Sequence, residues 1–347
     1  MATLDIGLIG CGRVAQSVHL PVLTKLPGVR LVALADPDPQ RLEEAHHRAP
    51  GAVAVADYQA LLEMAAVKAV VICAPNDLHG RTAVDALDRG KHVYLEKPLA
   101  TTLDEAERVL AALERAGVVG MIGFNYRYNR LYQALKRCLW SADLGEWVGA
   151  RTVLAAPESA LPAWKQFRGS GGGALLDMAS HHFDLIRFLF EEEICEVSAR
   201  LRSRRSEGDT AVVDVRLDGG LMVQSFFSIN TVDEDRFEVY TERAKVSVDR
   251  YRSLGVEVAT AAPGPIAGLR GFGPLLRSLG GSLYLLEKYR APAHEPSFRT
   301  ALAEFVKVVR EERLGKPDFQ DGYVSLAVVL AAEESARDGR VVRPALR

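Results

Sequence analysis

The stretch Leu8-Ile9-Gly10-Cys11-Gly12-Arg13-Val14-Ala15 decides the fold of this chain. Two apolar residues close a strand-like run, the G-x-G-x-x-A spacing follows at once, and a helix-like segment begins behind it. Gly10 suits a tight turn, Gly12 removes a side chain where a pyrophosphate would approach the backbone, and Ala15 lets helix pack closely on strand. The amino end of such a helix offers unpaired N–H groups and partial positive charge. Gly10, Cys11, Gly12, Arg13 and Val14 are therefore expected to hold the phosphates of a dinucleotide.

Working outward, apolar runs at 6–9, 29–35, 67–72, 92–95 and 118–123 alternate with helix-like segments rich in Ala, Leu, Glu and Arg. That alternation is the signature of a doubly wound parallel sheet, a Rossmann-type α/β domain over residues 1–125. The second run ends at Asp36, about 20 residues past the glycines, where a carboxylate can accept hydrogen bonds from ribose hydroxyls and repels a 2′-phosphate. The following Pro37-Asp38-Pro39 adds no arginine. NAD is the expected cofactor and NADP the lesser one. The plainer alternative is that Asp36 only caps the next helix.

Past residue 125 the pattern changes. A helix is expected at 126–139, a strand at 147–155, a Pro/Gly-rich loop at 157–173 and one helix at 174–190. Alternating segments from 194 to 249, broken by turns such as Leu217-Asp218-Gly219-Gly220, read as an antiparallel sheet with one exposed face. Residues 260–296 look irregular, with a short helix near 282–289. Helices at 298–310 and 322–336 close the chain, the last ended by Gly339. Residues 126–347 thus form an α+β domain with a mainly antiparallel open sheet, expected to serve substrate binding and oligomerisation, with its last helices free to pack back on the first domain.

Composition narrows the functions. With 43 basic against 45 acidic side chains the net charge is −2, which favours no nucleic acid. The basic cluster Arg202, Arg204 and Arg205 reads as a solvated turn. No stretch reaches the ~20 apolar residues of a membrane span. The start of the chain lacks a basic leader, so a cytoplasmic protein is expected. The four cysteines are scattered without metal spacing, so neither a disulfide framework nor a metal site is expected.

Two further stretches carry a resemblance. Cys73-Ala74-Pro75-Asn76-Asp77-Leu78-His79 follows the third of the longer runs, and Tyr94-Leu95-Glu96-Lys97-Pro98 ends the next. With the glycine motif, Phe124-Asn125-Tyr126-Arg127 and the Gly171-Gly172-Gly173 run, they resemble the glucose–fructose oxidoreductase / inositol dehydrogenase / rhizopine catabolism (Gfo/Idh/MocA) family. The resemblance weakens after about residue 250. It implies an NAD-dependent oxidoreductase acting on a secondary hydroxyl of a sugar, polyol or sugar derivative. Lys97 would reach both nicotinamide and substrate. Glu96 and Asn76 would line the nicotinamide ribose, with Ala74, Pro75 and His79 nearby, Asn125 also binding the cofactor where the substrate pocket begins, and Lys165, after Trp164, at the nicotinamide end. Relatives commonly form homodimers or homotetramers through the open sheet.

The segment Asp177-Met178-Ala179-Ser180-His181-His182-Phe183-Asp184 supplies the chemistry. Four residues apart on a helix, Asp177 and His181 share a face, and Asp184 returns close to it while His182 points elsewhere. A carboxylate beside an imidazole fixes its tautomer and stabilises the charged ring, as a general base requires. The family's D-x-x-x-H motif falls here, which implies Asp177 and His181 as catalytic residues beside Lys97. Ala179 stands where many relatives have glycine. Either His181 or Lys97 can be the proton acceptor. Two alternatives stay open: an enzyme of the same family that recycles its NAD within each turnover, as in glycoside cleavage, and a non-catalytic NAD-binding sensor.

Overall fold

The computed structural model describes residues 3–141, 144–157, 163–260 and 278–346. Six strands, β1 (Leu4–Ile9), β2 (Val29–Ala35), β3 (Val53–Val55), β4 (Ala69–Ile72), β5 (His92–Leu95) and β6 (Gly120–Ile122), make one parallel sheet in the order β3-β2-β1-β4-β5-β6. The strands are nearly all apolar because both faces are covered. In β4, Val70 and Ile72 join one core and Ala69 and Val71 the other, the two-residue alternation of a pleated strand. The order reverses between β1 and β4, and a crevice at such a switch point, off the carboxyl ends of the strands, is where α/β sheets bind ligands.

Seven strands form the second sheet. They are β7 (Trp147–Ala155), β8 (Ile194–Arg202), β9 (Thr210–Leu217), β10 (Met222–Ser228), β11 (Glu234–Thr241), β12 (Ala244–Asp249) and β13 (Glu257–Thr260), ordered β13-β12-β11-β7-β10-β9-β8. Only β7 with β10 is parallel; the other pairs are antiparallel.

The helices on the first sheet are α1 (Leu20–Leu23), α2 (Pro39–Arg48), α3 (Tyr58–Leu62), α4 (His79–Asp88) and α5 (Leu103–Ala116). Those of the second part are α6 (Arg130–Ser141), α7 (Ser180–Phe190), α8 (Ser278–Arg290), α9 (Ser297–Arg310) and α10 (Phe319–Asp338). The last two return to the first sheet. α9 packs on α1 and β5, while α10 lies between the sheets, against α5 and β6 on one side and β8 and α7 on the other. Its ends are tied by bridges from Asp318 to Met121 and from Val342 to Val197. One of the two apolar cores therefore runs from Ile72 and Leu95 through Leu326 and Val329 to Phe183 and Phe227.

Several expectations are corrected in detail. The helix expected at 126–139 is a 3-10 turn, Asn125–Tyr128, followed by α6; Asn129 separates them and caps α6 by accepting the Leu131 amide at 2.9 Å. The helix expected at 174–190 opens as a π turn, Leu175–Ala179, before α7. Strand β3 escaped the sequence pattern because it has only three residues at an edge. The short helix near 282–289 is α8, longer than expected, and residues 261–277 of the stretch read as irregular lie outside the described residues.

Candidate active site

The glycine loop makes a tight strand-to-helix turn. Gly10 has φ +86°, and a Cβ there would sit 2.6 Å from the Cys73 carbonyl oxygen, so only glycine makes this turn beside β4. A Cβ on Gly12 would meet nothing within 4 Å, so the loop faces open space at that point. The first internal bond of the following helix runs from the Gln16 amide to the Gly12 carbonyl, which leaves the amides of its first turn without helical partners. The helix continues as a π turn, Ala15–His19.

Asp36 is nearly buried and held from both sides. Its Oδ2 accepts the Cys11 amide at 2.7 Å and its Oδ1 the Asp38 amide at 2.9 Å. Asp38, not Asp36, caps α2, through bonds from the Gln40 and Arg41 amides. The capping alternative for Asp36 is thus excluded. A carboxylate has about four lone-pair sites, so Asp36 keeps acceptors for ribose hydroxyls. The expected role of Cys11 changes: its side chain is fully buried, does not line the cavity, and its amide is committed to Asp36.

One cavity of about 680 Å³ runs from this loop to α7. Its walls include Gly10, Gly12, Arg13, Val14 and Asp36 at one end, Ala74, Pro75, Asn76, His79 and Glu96 in the middle, and Lys97, Asn125, Lys165, Asp177 and His181 at the other. These are the residues that the sequence singled out, Cys11 apart: five loops at one edge of the parallel sheet supply those up to Asn125, and the second part of the chain supplies Lys165, Asp177 and His181. The residues present fit a dinucleotide: a loop open at Gly12, a preset carboxylate at Asp36, and a buried, unpartnered acceptor, Asn125 Oδ1, at the far end.

Local packing explains the motifs. Asn76 donates to the Gly171 carbonyl at 2.8 Å, and a Cβ on Gly171, at φ +93°, would lie 2.4 Å from the Asn76 Cβ. A Cβ on Gly172 would lie 2.2 Å from the Lys165 carbonyl oxygen. The glycine run is therefore what lets the Lys165 segment close down on the Asn76 loop. His79 ties the loops after β4 and β5 together, Nε2 facing Ala74 O at 2.9 Å and Nδ1 facing Pro98 O at 2.6 Å. Burial outweighs those two acceptors and pushes its pKa down, so only one nitrogen donates.

The expected Asp177–His181 pair does not form. Lys165 Nζ lies 2.9 and 2.7 Å from the two Asp177 carboxylate oxygens, and Lys97 Nζ lies 3.0 Å from Oδ1 and 2.5 Å from the Asp177 carbonyl. Two ammonium groups outcompete a neutral ring for one carboxylate. Burial pushes the Asp177 carboxyl up, but Lys165 and Lys97 more than offset it and hold it well below the usual carboxylate range. His181 instead stacks on Tyr126, ring centroids 4.4 Å apart and planes 17° from parallel, with Phe124 at its edge. Its Nδ1 is buried without a partner. Burial, with Lys97 next, drives its pKa well below the ordinary value, so the ring is neutral at neutral pH.

Asp184 also departs from the face it was assigned to. It receives two bonds from Arg127, at 2.9 and 2.6 Å, and is buried behind the site, because the π turn adds a residue that rotates α7 relative to an uninterrupted helix. His182 points away as expected, to Asp235 at 3.1 Å. The side chain of Trp164 lies outside the described residues.

Sequence reading missed Ser17, Val18, Arg41, Ala293 and Phe298, which also line the cavity. Arg41 comes from the first turn of α2, just beyond the Pro37-Asp38-Pro39 segment, which itself holds no arginine. Ala293 and its neighbour His294 both have positive φ, at 50° and 55°, which neither residue type signals in a sequence. His19, fully buried, bonds Glu96 Oε1 at 2.7 Å beneath the same wall.

Residues 4–124 match the model of an oxidoreductase family with an NAD-binding Rossmann fold, and residues 132–247 match that of the GFO/IDH/MocA C-terminal domain. The chain is 29% identical to myo-inositol 2-dehydrogenase of Thermotoga maritima, with 98% of each chain covered. It is 25% identical to scyllo-inositol 2-dehydrogenase (NAD(+)) of Bacillus subtilis, over 97% of this chain and 95% of that one. Among solved structures, the WlbA dehydrogenase from Bordetella pertussis in complex with NADH and UDP-GlcNAcA superposes with a TM-score of 0.86 at 23% identity, covering 100% of this chain and 99% of that one, a likeness of fold.

Proposed function

The chain belongs to the Gfo/Idh/MocA oxidoreductase family, and from that premise we propose how it works: as an NAD-dependent dehydrogenase of a secondary hydroxyl on a sugar, polyol or sugar derivative. The observation that carries this reading is the single cavity that joins the Gly10–Asp36 end to Lys97, Asp177 and His181. Bound NAD+ supplies the hydride acceptor. Gly12, the first-turn amides and Asp36 hold the adenosine diphosphate half, and Asn76, Glu96 and Asn125 line the nicotinamide half. His181 offers Nε2 to the substrate hydroxyl, because Nδ1 is the buried nitrogen, and takes its proton. Lys97, fixed by Asp177, holds a positive charge where the alkoxide develops. Lys165 shares that carboxylate and keeps Asp177 ionised. Once His181 is protonated, Asp177 is the anion that most favours the charged ring.

Residues 1–125 serve the cofactor and 126–347 the substrate and oligomer. Exposed Val148, Val212 and Met222 on the open face of the second sheet support the proposed homodimer or homotetramer.

The test is a panel of inositols, hexoses, uronates and nucleotide sugars incubated with NAD+ and followed at the nicotinamide absorbance band. NADH accumulation with at least one member is expected. Product without an absorbance change would assign the enzyme to the NAD-recycling class, and tight NADH binding with no turnover of any member would make it a sensor.

A further inference from the structure

With Asp177 committed to two lysines, the plane of the His181 imidazole is fixed by other means. The Tyr126 ring lies parallel to it at 4.4 Å, and the guanidinium of Arg250 lies 4.5 Å from the centroid of that same Tyr126 ring. Arg250 is buried and cannot swing. Its Nε donates to Asp235 Oδ2 at 2.6 Å, one terminal nitrogen to Glu295 Oε2 at 2.8 Å and the other to the Tyr251 hydroxyl at 2.9 Å. Asp235 in turn accepts from Tyr132 and faces His182. Glu295 accepts from Asn129 at 3.0 Å, and Asn129 immediately follows the turn that carries Tyr126. The assembly thus closes on itself from five parts of the chain.

We infer that Tyr126 and Arg250 are positioning residues for His181: the Tyr126 ring sets the plane of the imidazole and excludes water from the face it covers, while Arg250, locked on Asp235 and Glu295, holds Tyr126 in place. This inference rests on the reading that His181 accepts the substrate proton. Cation–aromatic and aromatic stacking contacts of this kind are strongest where water is excluded. The charged groups facing His181 are Lys97 and Asp177 from the cavity side, with Lys165 behind Asp177, and Arg250 and Asp235 from the Tyr126 side. Burial dominates the downward shift of its pKa, Lys97 and Arg250 add to it, and Asp177 and Asp235 oppose it. Removing the ring that buries the imidazole admits water and lets the proton on earlier.

The experiment uses the full chain with carbon-13-labelled histidine, the His181 signal being assigned by its loss in His181→Asn. In the wild type and in Tyr126→Phe, His181 is expected to stay neutral well below its ordinary midpoint of about pH 6.5. In Tyr126→Leu the midpoint moves up towards that value, and kcat/KM for the polyol that the panel identifies falls about tenfold. An unmoved midpoint in Tyr126→Leu, or Tyr126→Phe behaving like Tyr126→Leu, overturns the proposal. A second measurement needs no variant: the His181 ring protons of the wild type are shifted upfield by the Tyr126 ring current, and unshifted protons overturn the stack. If His181→Asn keeps wild-type turnover, the proton-acceptor reading fails and takes this proposal with it. If His181→Asn loses turnover while the Tyr126→Leu midpoint stays put, only the positioning proposal fails.

Discussion

Asp177 shows what one residue can and cannot declare in a sequence. Its helical spacing to His181 was legible, but a carboxylate goes to the strongest donors within reach, and those come from Lys97 and Lys165, which spacing along a helix cannot bring into view. The residue belongs to the cavity as expected, with a different partner. Asp177→Asn leaves two ammonium groups facing each other without a counter-charge, so Lys97 loses its fixed position. Turnover is expected to fall about 10²-fold or more, in the range of other lost charge-stabilising groups. Asp177 raises the pKa of His181, so the acid limb of kcat/KM against pH should move to lower pH in this variant. An acid limb that moves up, or a variant with wild-type turnover, would show that Asp177 does not act on this pair.

At the scale of elements, the parallel strands were readable because burial on both faces makes them continuous apolar runs. The two functional helices were less so. Each carries a π turn close to its start, Ala15–His19 behind the glycine loop and Leu175–Ala179 at Asp177, and such turns often mark functional sites without a compositional signal. The extra residue in the second is why Asp184 left the face predicted for it. The loop ahead of the first gives a paired test. Gly12→Val adds a side chain in open space, so the fold should melt as the wild type does while NADH affinity drops about 100-fold or more, read by nicotinamide fluorescence. Gly10→Ala puts a Cβ 2.6 Å from the Cys73 carbonyl oxygen at positive φ, so it should lower stability by about 1–3 kcal/mol in denaturant unfolding. Equal melting of both variants would contradict this account of the turn.

Across the whole molecule, the two sheets act as one unit because α10 lies between them and the cavity opens where their loops meet. The sequence made the two layers legible, but not the residues from distant segments, such as Ala293 and Phe298, that complete the wall. Three histidines, one buried and two partly buried, give the whole fold a common pH response. His79, His92 and His181 all have pKa values lowered chiefly by burial, and the Val119 amide donates to His92 Nδ1 at 3.0 Å, which requires that nitrogen to be unprotonated. Because each folded pKa lies below the unfolded one, their stabilisation is whole above about pH 6.5 and is lost as pH falls through the folded values. The melting temperature should hold level from about pH 8 to 7 and decline below about 6.5. A melting temperature that rises on acidification would contradict this.

On the proposed mechanism, the dinucleotide loop and the Lys97–Asp177–His181 group form one site for hydride transfer. Lys97→Ala separates the two halves of that site, with NADH formation from the active polyol followed beside NADH binding by fluorescence. Turnover should fall at least about 10³-fold while NADH affinity stays within about threefold of the wild type. Wild-type turnover in Lys97→Ala would contradict the account.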